Sequence, residues 1–139
     1  MGGGSSSAPA PFVGGYGGSW IAWSQAKTLT VHEPTARAAG VSLGAGMLAP
    51  LAGDGCGLAV TARIADYLAG SSARQCGPCM FGLPAIASIV AQLAVGRAAR
   101  GDLRRLDRFS AQVAGRGAVA IQMARCGWCC PPSPSSPTT

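Results

Sequence analysis

Apolar positions recur at helical spacing in the second half of the chain and at two-residue spacing in part of the first. Val60, Ile64, Tyr67 and Leu68 fall at i, i+4, i+7 and i+8, the stripe of a core-facing helix. Asp54 is placed to cap it and Gly70 to end it. A second stripe, Leu83, Ile86, Val90 and Leu93, predicts a helix over 81–98, with Pro84 tolerated because it lies in the first turn. Leu103, Leu106, Phe109 and Val113 predict a third helix, capped by Asp102 and closed by Gly115 and Gly117, with Arg104, Arg105 and Arg108 on its outer face.

Residues 12–33 read differently. They hold Phe12, Val13, Tyr16, Trp20, Ile21, Trp23, Leu29 and Val31, and TLTVH (28–32) alternates with the period of a strand, so two short strands are expected. Gly14, Gly15, Gly17 and Gly18 mark a turn or a close backbone approach; GGYGGS lacks the GxGxxG spacing and setting of a dinucleotide loop. The uncharged stretch 38–53, punctuated by Gly40, Gly44, Gly46, Pro50 and Gly53, suits a buried loop-and-strand region. The resulting expectation is an α+β fold, mainly α: a few N-terminal strands, then a small bundle of about three helices, with disordered termini. The domain division is a flexible leader at 1–11, a strand-bearing segment at 12–53, a helical domain at 54–118 and a divergent Cys/Pro/Ser-rich tail at 119–139. So few strands read as the end of a larger β-rich domain.

Composition narrows the function. Charged residues are 12% of the 139, and 21 Gly with 10 Pro restrict the length able to build a core. The net charge of +6 is concentrated in seven arginines between Arg97 and Arg125, read as a solvated helix face rather than a nucleic-acid site because no interleaved aromatics accompany it. No stretch supplies the ~20 apolar residues of a membrane span. The glycine- and serine-rich start is no secretory signal, so the chain is expected in the cytoplasm, reaching the inner face of a membrane only through partners. The carboxylates Glu33, Asp54, Asp66, Asp102 and Asp107 are scattered and offer no acid–base pair. His32 reads as a surface or capping residue, and Trp20 and Trp23 as core or interface residues. No catalytic residue is assigned.

The chemistry lies in six cysteines: Cys56, Cys76, Cys79, Cys126, Cys129 and Cys130. In a chain without a secretory signal, CxxC pairs point to metal or redox chemistry rather than to a disulfide framework. Cys76-Gly77-Pro78-Cys79 at a helix start is similar to the thioredoxin dithiol arrangement, but a helix precedes the motif and no strands follow it. The other reading is metal ligation: CxxC gives two thiolates to one centre, and Cys126-Gly127-Trp128-Cys129-Cys130 offers others, across a gap longer than that of a compact zinc module. Cys56, with no cysteine near it in sequence, reads as a small buried hydrophobe.

Residues 43–117 resemble the C-terminal part of the F subunit, the flavoprotein subunit, of NADH:quinone oxidoreductase, respiratory complex I. That region carries the pattern S-C-G-x-C-x-P-C-R-x-G between helices, and Ser72, Cys76, Pro78, Cys79 and Gly82 match it in register. DLRRLDRFSAQVAG (102–115) matches the helix before the family's last cysteine, and residues 12–40, with GGYGGSW, resemble the end of the soluble-ligand-binding β-grasp domain that precedes it. The resemblance implies a 4Fe–4S cluster on four cysteines, passing electrons among subunits that carry flavin or further clusters. The family's first cysteine falls at Ala73 and its fourth near Val119, so only Cys76 and Cys79 carry over, with Cys126 as a substitute ligand. The family's NADH and FMN sites lie in an earlier region that this sequence does not contain. The implied function is an electron-transfer module that is not a complete dehydrogenase; the alternatives are a helical domain with a structural or interaction role and no cluster, or a CGPC dithiol oxidoreductase.

Overall fold

A computed structural model describes residues 10–51, 55–114 and 116, which fall into two units dividing between Gly57 and Leu58. Asp54, Gly115, Gly117, the leader and the tail with Cys126, Cys129 and Cys130 lie outside the described residues. The fold is α+β and mainly helical, as the periodicity predicts.

In the first unit, β1 (Pro11–Val13) is the central strand of a three-stranded antiparallel sheet, with β2 (Ser19–Trp20) on one side and β3 (Leu48–Pro50) on the other. Phe12 faces Trp20 and Ala49 in register, and its ring lies 5.0 Å from that of Trp20, centroid to centroid, tilted by 53°. Pro11 opens the central strand and Pro50 lies on an edge strand, the places where a residue without an N–H is tolerated in a ladder. A glycine-built turn (Gly15–Gly17) joins β1 to β2. Gly14, at φ +100°, donates its N–H to the Met47 carbonyl at 2.9 Å and accepts from Ala45 N–H at 3.1 Å, so a backbone-to-backbone clasp continues the β1–β3 pairing. Val13, Ile21, Ala36 and Val41 form the buried cluster, flanked by Ala26, Leu29 and Leu43.

Two short helices were not expected: α1 (Trp23–Thr28) and α2 (Glu33–Ala38). TLTVH is not a strand. Thr28 ends α1, and Leu29–His32 is the connection into α2, with Leu29 against the core cluster and Val31 77% exposed. Both edges of β1 are already taken by β2 and β3, so among the described strands this alternating segment has no place beside β1. His32 is exposed, as expected, and precedes α2, its Nδ1 3.0 Å from Thr35 Oγ1. The 38–53 region does supply β3, but residues 44–48 are exposed rather than buried.

The second unit holds α3 (Gly57–Ser71, beginning at the last residue of the first unit), a π-helical turn (Pro78–Gly82) running directly into α4 (Leu83–Ala94), and α5 (Asp102–Val113). On α3 the buried positions are Gly57, Thr61, Ala65 and Ala69, one step round from the predicted stripe; Ile64 and Leu68 are half-buried and Tyr67 is exposed. Small residues at the buried positions let the large ones cover the flanks, so the apolar stripe marks the border of the contact face rather than its middle.

Of the predicted α4 stripe, Leu83, Ile86 and Val90 are buried and Leu93 is half-buried; Ala87 and Ile89 are buried beside them, each large buried side chain contributing about 1.5–3 kcal/mol on removal from water. This helix ends four residues before the expected Ala98, because Gly96 takes φ +70° and the chain reverses. Arg97 N–H bonds to the Gln92 carbonyl at 2.9 Å and Gly96 N–H to the Leu93 carbonyl at 3.1 Å, the two bonds of a Schellman motif. On α5, Leu106 and Val113 are buried and Phe109 is half-buried, but Leu103 is 58% exposed. Asp102 is the first helical residue rather than the cap, a position held by Gly101 at φ +99°. Its buried carboxylate accepts from Ala99 N–H at 2.8 Å and from Arg105 at 3.2 Å, locking the turn that feeds the helix.

Candidate metal centre

The CGPC motif is not before the helix but inside its first turn. Gly77 already has helical angles (φ −52°, ψ −47°), Met80 N–H bonds to the Cys76 carbonyl at 2.9 Å, and Cys79 lies in the π turn. The widening has a local cause. Pro84 has no N–H to offer, and in a regular α-helix its ring would meet the carbonyl four residues back, that of Met80. One extra residue in the turn relieves this, and Leu83 N–H bonds instead to the Pro78 carbonyl.

This geometry sets the thiols apart in exposure while holding them together. Cys76 is half-buried and Cys79 is buried, with 8% of its surface exposed. The hydrogen bond between the two side chains raises the Cys79 pKa above the ordinary cysteine value, burial adds to the rise, and charge on Cys76 adds further. Cys79 therefore keeps its proton at a pH at which a free cysteine begins to ionise.

Ser72 supports the loop from the other side. Its hydroxyl donates to the Ala69 carbonyl at 3.1 Å and reaches the Cys79 carbonyl at 3.4 Å, tying the end of α3 to the cysteine turn. Between them, Arg74 has φ +54°, the one non-glycine residue with positive φ among the described residues. It occupies the third place of S-C-G-x-C, where the family pattern has glycine, so the backbone keeps a glycine conformation that costs an ordinary side chain about 1–2 kcal/mol. Ala73 occupies the second place and brings no donor atom.

An open groove of about 420 Å³ lies beside the turn, lined by Gly77, Pro78, Phe81 and Gly82 and by Phe109 and Val113 of α5. Sequence patterning missed it. Phe81 beside it is 71% exposed, against the usual burial of aromatic side chains, and only its place off the α4 stripe hinted at this in the sequence. Close approach is fixed at Gly82, where any Cβ would fall on the Val113 side chain.

Of the sequence-predicted ligands, the structure brings Cys76 and Cys79 together, and Cys126 lies outside the described residues. Cys56 is free and exposed, not the buried hydrophobe expected from its isolation in sequence. A 4Fe–4S cluster takes four thiolates. Among the described residues no group of three or more His, Cys, Asp or Glu is placed to hold a metal ion, so Cys76 and Cys79 by themselves are two thiols where a cluster takes four and do not fit the whole group.

Residues 59–124 match the family described as NADH-ubiquinone oxidoreductase-F iron-sulfur binding region. The matched span contains Ser72, both cysteines of the turn, α4 and α5, and the resemblance read from the motif is thereby shown. The family is a 4Fe–4S binding region of an electron-transfer subunit. No curated protein matches the chain. Among the described residues no helix is long and apolar enough to cross a membrane.

Proposed function

We propose that the helical region is an electron-transfer module contributing Cys76 and Cys79 as two thiolate ligands of a 4Fe–4S cluster, with the remaining ligands supplied by Cys126 in the tail or by a partner chain. The observation that carries this reading is the pair of hydrogen-bonded thiols at a helix start inside the matched span. A bound cluster supplies one-electron chemistry. This chain's own residues do the rest: the π turn presents two soft donors side by side, Ser72 anchors the loop that carries them, and Leu83, Ile86 and Val90 of α4 pack an apolar support behind the turn.

On this reading the chain holds no NADH or FMN site and works in the cytoplasm, reaching the membrane face through subunits that carry flavin or further clusters. The 12–53 segment is then a partial β-grasp-like segment, 54–118 a helical domain like the iron–sulfur binding region and 119–139 a divergent tail. A second reading, a helical domain kept for structure or interaction without a cluster, is favoured by Ala73, which removes one donor, and by Arg74, which keeps the loop's shape without its glycine.

Anaerobic reconstitution of the full chain with iron and sulfide tests the two, with a Cys76→Ser/Cys79→Ser double variant as control. About four irons and four labile sulfides per chain, lost in the variant, are expected on the first reading. Equal iron in both proteins establishes the second; no iron in either excludes Cys126 as the completing ligand and establishes the second for the chain on its own.

A further inference from the structure

Two thiols held side by side on one turn have a chemistry of their own. The Cys76 carbonyl accepts the Met80 N–H at 2.9 Å and Gly77 is helical, so the two cysteines span one right-handed turn. Residues three apart on such a turn have Cα atoms about 5 Å apart, within the ~4.4–6.8 Å that a disulfide bridges without moving the backbone. The side chains already hydrogen-bond to each other. Exposure divides their roles: Cys76 is half-buried and open to an incoming reagent, whereas Cys79 is buried and reachable chiefly by Cys76.

We propose that Cys76 and Cys79 form a reversible dithiol–disulfide couple that exchanges with a small exposed disulfide of the glutathione-disulfide class, and that the closed form excludes metal. The Cys76 thiolate attacks one sulfur of the incoming disulfide, forming a mixed disulfide and releasing one small thiolate. Cys79, giving its proton to solvent, attacks the Cys76 sulfur and displaces the second small thiolate, which takes up a proton. Two protein thiols lose two electrons and two protons, and the small disulfide gains both. Excess small thiol runs the sequence backwards. In the closed form neither sulfur is a thiolate, so neither ligates iron. The couple stands on the geometry of the turn; its consequence for metal rests on the cluster-binding reading above.

Tryptic mapping gives the direct test, because Arg74 and Arg97 bracket both cysteines on the one peptide 75–97. The reduced, metal-free full chain is treated with oxidised glutathione, acid-quenched, alkylated and digested. The 75–97 peptide is expected two hydrogens lighter and unalkylated. Cys79→Ser is expected to stop at a glutathione adduct on Cys76, and Cys76→Ser to leave Cys79 unmodified over the same time. A 75–97 peptide alkylated at both positions, cross-links to the peptides carrying Cys56 or Cys126 in its place, or Cys79 glutathionylated as fast as Cys76 overturns the couple. Reconstitution then separates the two ideas. Iron uptake by the reduced chain that is lost on prior closure and restored by dithiothreitol supports both. Closure of the peptide in a chain that never takes up iron leaves the couple standing and removes the cluster; iron uptake without closure does the reverse.

Discussion

The two units of this chain are held together by opposite means. In the sheet-bearing unit, main chain lies on main chain: Gly14 clasps Met47 and Ala45, and a Cβ on Gly18 would fall inside the Val13 carbonyl. In the helical unit, side chains do the packing, with Leu83, Ile86, Ala87, Ile89 and Val90 buried along one helix. The first arrangement stores its specificity in what is missing from glycines, the second in the volume of what is present. Gly82 is where the helical unit borrows the other device, since the cysteine turn meets the Val113 side chain there.

The contrast is broken most severely by hollowing the packed unit. Leu83, 1% exposed, lies at the join of the π turn and α4, and Leu83→Ala is expected to cost about 2–5 kcal/mol. Chemical denaturation followed by far-ultraviolet circular dichroism reads that loss, and a change below 1 kcal/mol would place the turn outside the cooperative core. Next comes Gly18→Ala, which adds one methyl group where the Val13 carbonyl lies. The expected cost is about 1–3 kcal/mol from overpacking against backbone that must shift, seen as faster amide exchange in β1 and β2. The smallest effect has the opposite sign. Gly70 is exposed on α3 with open space where a Cβ would go, so Gly70→Ala is expected to stabilise by about 0.5–1 kcal/mol through reduced backbone freedom in the unfolded chain. Equal destabilisation by the two glycine substitutions would erase the distinction between the units.

The helices were legible because burial of a helix face imposes a 3.6-residue period that a short window detects, and on α4 the predicted Leu83, Ile86 and Val90 are buried while Leu93, near the helix end, is half-buried. Where small residues took the contact face, as at Thr61, Ala65 and Ala69 of α3, the same pattern pointed one step away. Strand alternation over five residues was weaker still, since TLTVH met no open edge of β1 and became the end of one helix and the entry to another.

For the candidate site, the sequence by itself determined the pair Cys76 and Cys79, the missing donor at Ala73 and the family that residues 59–124 match, because motif spacing is a property of the chain alone. Only the tertiary structure decided that the motif lies within the helix rather than ahead of it, that Cys79 is buried while Cys76 is partly open, that Arg74 takes a glycine's conformation and that Phe81 stands beside a groove. The physical reason is that exposure depends on partners brought from elsewhere, Ser72 from the end of α3 and Val113 from α5, whereas the π turn itself has its cause close by in the sequence, at Pro84.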